Sequence, residues 1–369
     1  MKRIKQLDGI RGIAILLVLI WHYYVLLPSD NSNFYNLIKR ALNFSWSGVD
    51  LFFILSGFFI GGQLIDNMPA KNLTSTFYYR RFLRIVPPYL IILVPFILIS
   101  SAGTWQVQKG LSWLFKNPLP LWSYATFLQN YSMMKAGSIG PHWIGISWSL
   151  AIEAQFYLII PLLIKYVPVR KLAMILITFA LFARLVSIFI LNSWYSAFLL
   201  LPCRIDSLML GVLAAWMVRQ TPILERMEKR PGMLYGAAFI LGSCMIFTSF
   251  WGFGPGSTLF LTIGLTWIGV VYFCFILISV VNKDGIMNKI LTNKILRGIG
   301  ICSYSIYLFH LIFLGLCHAF ILNQNPQNKR IEDISVTLLA LFLTLAFSAA
   351  SWYMVEKPLL NYRHRMKYR

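Results

Sequence analysis

Ile10-Arg11-Gly12-Ile13-Ala14-Ile15-Leu16-Leu17-Val18-Leu19-Ile20-Trp21-His22-Tyr23-Tyr24-Val25 is a run apolar enough to cross a bilayer as a helix, yet it carries an arginine and a histidine. A hydrocarbon core of about 30 Å takes roughly 20 apolar residues rising 1.5 Å each. The run is too long, and too poor in small residues at a cleavage site, for a removable signal peptide, so it is expected to persist in the mature protein. Nine more runs begin near Trp46, Ile85, Ile146, Leu172, Phe198, Met233, Thr258, Ile299 and Ser335. Composition agrees: 58% of the 369 residues are hydrophobic and only 12% charged, with mean hydropathy +0.68, so the solvent for most of the surface is lipid. The expected fold is all-α, a polytopic membrane protein of about ten transmembrane helices.

The formal net charge of +21 would suit nucleic acid if the basic residues shared one exposed face. They lie between the apolar runs instead. Lys39, Arg40, Lys109, Lys116, Lys135, Lys329 and Arg330 fall on one side of the membrane, and Arg11, Arg184 and Arg204 lie inside or at the edge of spans. The remaining Lys and Arg fall on the other side, in the N-terminal tail, the alternate loops and the C-terminal tail. By the positive-inside bias both termini are cytoplasmic, and the charge is a topology signal with no nucleic-acid partner implied.

Cys203, Cys244, Cys274, Cys302 and Cys317 all lie in or beside apolar runs, without paired spacing or a nearby histidine cluster, so neither disulfides nor a metal site is expected. Walker, dinucleotide-binding, GxSxG and HExxH patterns are absent. One membrane domain, residues 1–369, accounts for the chain. Within it, residues 102–145 mix Trp105, Trp113, Trp122 and Trp143 with Lys, Asn and Pro, which suggests short amphipathic or re-entrant helices at the outer interface. Residues 359–369 form a basic cytoplasmic tail. Gly57 and Gly61 allow close helix contact in the second span. Oligomeric state is not written in the pattern.

Any chemistry must come from polar groups at membrane depth, each of which costs on the order of 2.5–3.5 kcal/mol to insert. Arg11 and His22 are eleven residues apart, three turns plus about 20°, so they share a helix face about 16 Å apart, too far for a direct pair. A neutral imidazole can take a proton from a hydroxyl near neutral pH, whereas an arginine at the inner boundary suits phosphate or carboxylate. The plainer alternative is a snorkelling arginine and an interfacial histidine. Glu153, in Trp148-Ser149-Leu150-Ala151-Ile152-Glu153, can orient His22 or hold an acceptor sugar, or else pair with Arg184 or Arg204 between helices. Arg204 and Asp206 point about 200° apart and should pair with other helices. Asp50 opens the second span, where an interfacial carboxylate is cheap. Ser303, Tyr307 and His310 draw a polar stripe that is more often helix glue than chemistry. Arg81 and Arg84, three residues apart at a helix start, can reach one phosphate-rich cytoplasmic ligand such as a coenzyme A thioester, or can simply anchor the span. Glu356-Lys357-Pro358 ends the last helix at the same surface.

Together these pieces resemble integral-membrane acyltransferase family 3: Leu7-Asp8-Gly9-Ile10-Arg11-Gly12 with His22, Gly48 to Phe58, Arg81 to Arg84, Trp148-Ser149-Leu150 with Glu153 and Gln155-Phe156-Tyr157, Arg204 with Asp206 and Gly211, Ser303-Tyr304-Ser305 with Tyr307 and His310, and Glu356-Lys357-Pro358. They run in order over nearly the whole chain. The resemblance implies transfer of an acyl group, usually acetyl from acetyl-CoA, to a hydroxyl of an envelope glycan such as lipopolysaccharide O-antigen or exopolysaccharide, in the bacterial cytoplasmic (inner) membrane. It implies that Arg11 and His22 are essential, with Arg81, Arg84, Glu153 and Glu356 following. Two features depart from the pattern. Ala154 stands where a second carboxylate is common, and the sequence ends at Arg369 without a hydrolase-like domain, so the reaction is expected to be completed alone or with a separate partner. The expected mechanism has acetyl-CoA held at Arg11, Arg81 and Arg84, its pantetheine arm bridging towards His22. That histidine would deprotonate a glycan or lipid-linked saccharide held by Glu153. The rivals are an acyltransferase for a small-molecule or lipid acceptor, and a transporter, for which no internal repeat speaks.

Overall fold

The computed structural model describes residues 4–29, 32–103, 109–250, 254–282, 285–362 and 366–369. Among them are ten helices long and apolar enough to cross a membrane, and no strand beyond one isolated bridge between Ser29 and Asn328. The cores of the ten are α1 (Lys5–Ile20), α2 (Gly48–Asp66), α3 (Leu73–Ala102), α4 (Trp148–Tyr166), α5 (Val169–Leu185), α6 (Leu201–Arg219), α7 (Pro231–Phe250), α8 (Leu265–Val281), α9 (Ser303–Leu322) and α10 (Ile331–Ser351). Four spans carry a π-helical turn at one end: Trp21–Val25, Val186–Ile190, Phe260–Gly264 and Trp352–Glu356. Each apolar run read from the sequence corresponds to one of these spans.

The chain divides into two compact units, one of residues 1–18, 43–73 and 158–301, the other of residues 19–42, 74–157 and 302–369. The first unit is built around α6, in which 14 of 19 residues are buried. Pro202 starts that helix, where its missing N–H costs nothing. Backbone meets backbone where α2 crosses α6: a Cβ on Gly57 would lie 1.9 Å from the Leu208 carbonyl oxygen, and one on Gly61 2.8 Å from the Val212 Cα. The close helix contact expected of these glycines is therefore present. Gly9 and Gly12 do the same for α1, against Leu291 and Leu296 of the short helices Ile286–Leu291 and Lys294–Ile301.

Two buried ion pairs hold this unit together. Arg204 donates to Asp50 at 2.6 Å, and Arg184 donates to Asp206 at 2.8 Å, with all four side chains 0–1% exposed. Arg204 and Asp206 thus pair with different helices, as their angular separation requires. Asp50 departs from expectation. It is fully buried rather than interfacial, because Arg204 of α6 reaches it inside the same unit and supplies the opposite charge.

The second unit contains α3, most of α4, α9 and α10. α3 begins at Leu73, about three turns before the apolar run expected near Ile85, so Arg81 and Arg84 lie within the helix rather than at its start. Pro87, Pro88 and Pro95 interrupt its hydrogen-bond ladder, and side chains bond to carbonyls nearby. The Tyr304 hydroxyl donates to the Ile85 carbonyl at 2.9 Å and the Trp143 indole to that of Ile92 at 3.0 Å. Residues 109–145 form short helices, including Ser112–Phe115, Leu121–Ala125 and Gln129–Ala136, whose Leu114, Phe115 and Tyr124 are buried while Trp122 is exposed. Trp105 lies outside the described residues. α10 is capped by Asp333, which accepts hydrogen bonds from the backbone N–H groups of Lys329 and Arg330.

Candidate active site

The π-helical turn Trp21–Val25 sets His22 within the second unit, half-buried beside a fully buried His310 of α9. His310 Nε2 is 3.3 Å from His22 Nδ1, and the two rings meet edge to face with centroids 4.8 Å apart. His310 Nδ1 is 2.7 Å from the Tyr307 carbonyl oxygen one turn earlier. Such π turns often occur at functional sites, because the extra residue re-aims a side chain within a helix.

The neighbouring Tyr23 fixes the turn. Its hydroxyl donates to the His310 carbonyl at 2.8 Å and lies 3.0 Å from the Thr344 hydroxyl of α10. The Tyr23 carbonyl accepts from the Asn328 amide at 2.8 Å, and Asn328 in turn accepts from Thr337, which bonds to His318 at 3.0 Å. This connected chain of hydrogen bonds joins the first span, α9, the 323–330 connection and α10 around the two imidazoles. Further along the α9 stripe, the Tyr307 hydroxyl donates to the Ile146 carbonyl at 2.9 Å and meets the Ser149 hydroxyl at 2.7 Å. The stripe therefore does both things: Tyr307 joins helices, and His310 meets His22.

Glu153, half-buried on α4, accepts a hydrogen bond from Tyr157 at 2.6 Å. Neither Arg184 nor Arg204 is its partner, since both are taken by aspartates. The Arg81 guanidinium lies over the rings of Phe77 and Tyr157, 5.5 and 5.7 Å from their centroids, so Arg81, Tyr157 and Glu153 form one line of contact. Arg84 is half-buried near Tyr304, a residue close enough to Glu356, Glu153 and Arg84 to feel their charges. Among the described residues none accepts a hydrogen bond from Arg84. Glu356 is held by Ser305, itself bonded to Ser351 at 3.1 Å. Arg80 is occupied by the tail: it donates to the Met366 carbonyl at 2.8 Å and lies over the Tyr368 ring. Arg11 belongs to the first unit, half-buried on α1 between the glycines that pack against the short helices.

The 109–145 segment contributes a stacked pair, Trp113 over His142, with ring centroids 4.0 Å apart. His142 Nδ1 donates to the Trp113 carbonyl at 2.9 Å, and burial holds its pKa below the usual histidine value. His310 was singled out on the α9 stripe but its contact with His22 was not foreseen, nor were the contacts of Tyr23 and Tyr157. Tyr23 and His310 meet partners hundreds of residues away, whereas Tyr157 lies one turn from Glu153, a spacing the sequence did show. No group of three or more metal-binding side chains occurs among the described residues.

The chain is 26% identical over 395 residues to the peptidoglycan O-acetyltransferase OatA of Listeria monocytogenes, and 25% identical over 368 residues to the O-acetyltransferase OatA of Staphylococcus aureus. These alignments cover 97% and 96% of the chain but 56% of each relative, so the chain spans little more than half the length of the relatives it matches. No solved structure matches it. The family model described as an acyltransferase domain, Acyl_transf_3, matches residues 4–353, and the chain therefore belongs to that family of membrane acyltransferases.

Proposed function

We propose that this protein is an O-acetyltransferase that moves acetyl from acetyl-CoA to a hydroxyl of an envelope glycan, with His22 as the general base. The observation that carries the reading is the His22–His310 contact inside a web of buried hydrogen bonds: a fixed imidazole at membrane depth is costly to keep unless it handles protons. The base takes the proton of the acceptor hydroxyl as its oxygen attacks the thioester carbonyl. The tetrahedral intermediate collapses, the C–S bond breaks, and the coenzyme A thiolate leaves with the proton returned from the imidazolium. Direct transfer is favoured over an acyl-enzyme because no nucleophile with an adjacent base stands out beside His22.

Arg84 and Arg81 are the proposed ligands for the donor phosphates, with cytoplasmic termini as the basic-residue bias suggests. Arg11 is given the same task on the sequence argument alone. Glu153, steadied by Tyr157, is proposed to receive the acceptor sugar. The name of the Listeria relative favours a cell-wall glycan over lipopolysaccharide as acceptor. Bacterial cytoplasmic membrane is the proposed location.

The test uses purified protein, labelled acetyl-CoA and peptidoglycan fragments or lipopolysaccharide oligosaccharides as acceptors, with the product read by mass. His22→Ala is expected to lower transfer about 10²–10⁴-fold, the usual contribution of a general base. Full turnover by folded His22→Ala protein overturns the reading.

A further inference from the structure

Resting on His22 as the base, we infer that His310 is a positioning residue that selects the tautomer of His22 and so makes its Nε2 the basic atom. A backbone carbonyl only accepts, so the 2.7 Å contact between Tyr307 O and His310 Nδ1 puts a proton on that nitrogen. His310 is completely buried and lies against a second imidazole, and two adjacent charged rings away from water are strongly disfavoured. The neutral His310 ring with its proton on Nδ1 has a lone pair on Nε2.

That lone pair lies 3.3 Å from His22 Nδ1, so the bond between the rings runs from the His22 N–H to His310. His22 is then the Nδ1–H tautomer and its Nε2 carries the lone pair that accepts the substrate proton. When His22 becomes the imidazolium, the same hydrogen bond becomes charge-assisted and stronger, and a bond at the long end of the range can tighten at that moment. No proton needs to pass to His310. The carboxylate of a serine-protease triad performs a comparable orienting task with a formal charge. Here a neutral ring does it at a depth where a charge costs more. His310 is itself held: its carbonyl accepts from Tyr23, adjacent to His22, and the Tyr23 hydroxyl also meets Thr344.

The test compares His310→Gln, His310→Asn and His310→Leu with His22→Ala. Each is purified by size exclusion and assayed for transfer from labelled acetyl-CoA to the glycan acceptor. Gln sets an acceptor oxygen near the Nε2 position, whereas the shorter Asn cannot reach His22 and Leu has no acceptor. The expectation is that His310→Leu and His310→Asn lose roughly 10–100-fold in kcat, the usual range for an orienting hydrogen-bond partner, with KM for acetyl-CoA unchanged. His310→Gln should recover most of kcat. If the three His310 variants keep wild-type kcat while His22→Ala is inactive, the base stands and the orienting role of His310 is overturned. Equal loss in folded Gln and Leu variants also overturns it, because that pattern reports packing. If His22→Ala keeps full turnover, the base reading falls first.

Discussion

Removing the carboxylate of Asp50 tests how the first unit holds its charges. The Arg204–Asp50 contact is 2.6 Å and both side chains are at most 1% exposed. Unit charges at that separation attract by on the order of 6 kcal/mol at an effective dielectric of about 20. Desolvating the two ions offsets much of this, so the pair is a small net contributor while each partner alone is a large liability. In Asp50→Ala the arginine stays buried, and its remaining favourable contacts are the rings of Phe53 and Phe198, 5.5 and 5.1 Å from the guanidinium carbon. Those are worth about 0.5–2 kcal/mol together with the cation. Asp206 gives little relief because it is already bound to Arg184. The expected loss is about 3–5 kcal/mol for Asp50→Ala and similar for Arg204→Ala. The double variant Asp50→Leu with Arg204→Met should lose less than either single one, since it removes both buried charges and refills the space. Unfolding by SDS in mixed micelles, followed by near-ultraviolet circular dichroism, measures all four proteins. Additive losses in the double variant would refute the claim that these two charges compensate one another.

Other outcomes follow from separate parts of the molecule. Gly57→Leu should give no folded protein by size exclusion, because a Cβ there already meets the Leu208 carbonyl oxygen at 1.9 Å, whereas Gly242→Ala, with open space around it, should be neutral or raise stability by up to about 1 kcal/mol. Arg84→Ala should raise KM for acetyl-CoA roughly 10-fold or more with little change in kcat, as expected for losing one charge-assisted bond of about 1.5–3 kcal/mol, while Arg80→Ala, whose guanidinium is engaged by the tail, should leave KM alone. Burial depresses the His142 pKa, so the unfolded chain binds a proton before the folded one does. The stability this histidine contributes is complete above the unfolded value near pH 6.5 and is lost as the pH falls towards the folded value. Comparing the unfolding midpoints of wild type and His142→Leu at pH 7.5 and 5 checks this, with the wild type losing more on acidification.

The ten spans were legible because length and hydropathy are local properties, and the close contacts at Gly57 and Gly61 because small residues at helical spacing are. Arg204 and Asp206 were also legible as members of different pairs, since residues two apart on a helix point about 200° away from one another. Their partners, Asp50 and Arg184, were not, because partner choice is tertiary. Asp50 was misjudged for a related reason: the start of an apolar run does not show that a partner 154 residues away, Arg204, encloses its first carboxylate. The start of α3 was read too late because Leu73 to Arg84 is polar enough to look like a loop. His22 was singled out as a candidate from its depth and chemistry. Its meeting with His310 depends on a π-helical turn and on packing 288 residues apart, neither of which leaves a mark in periodicity.

The interrupted ladder of α3 has a consequence for which positions tolerate change. Tyr304 and Trp143 bond to backbone oxygens at residues 85 and 92, and no substitution of Ile85 or Ile92 deletes a carbonyl. Tolerance is therefore one-sided. Aliphatic exchanges at 85 and 92 keep the bond and alter only packing, while Tyr304→Phe and Trp143→Phe remove the donor outright. A saturation scan of this region would show two permissive positions on the proline-interrupted helix facing two restrictive ones elsewhere in the chain. Covariation between the members of each pair would be absent, because one side of each bond is the same in every amino acid.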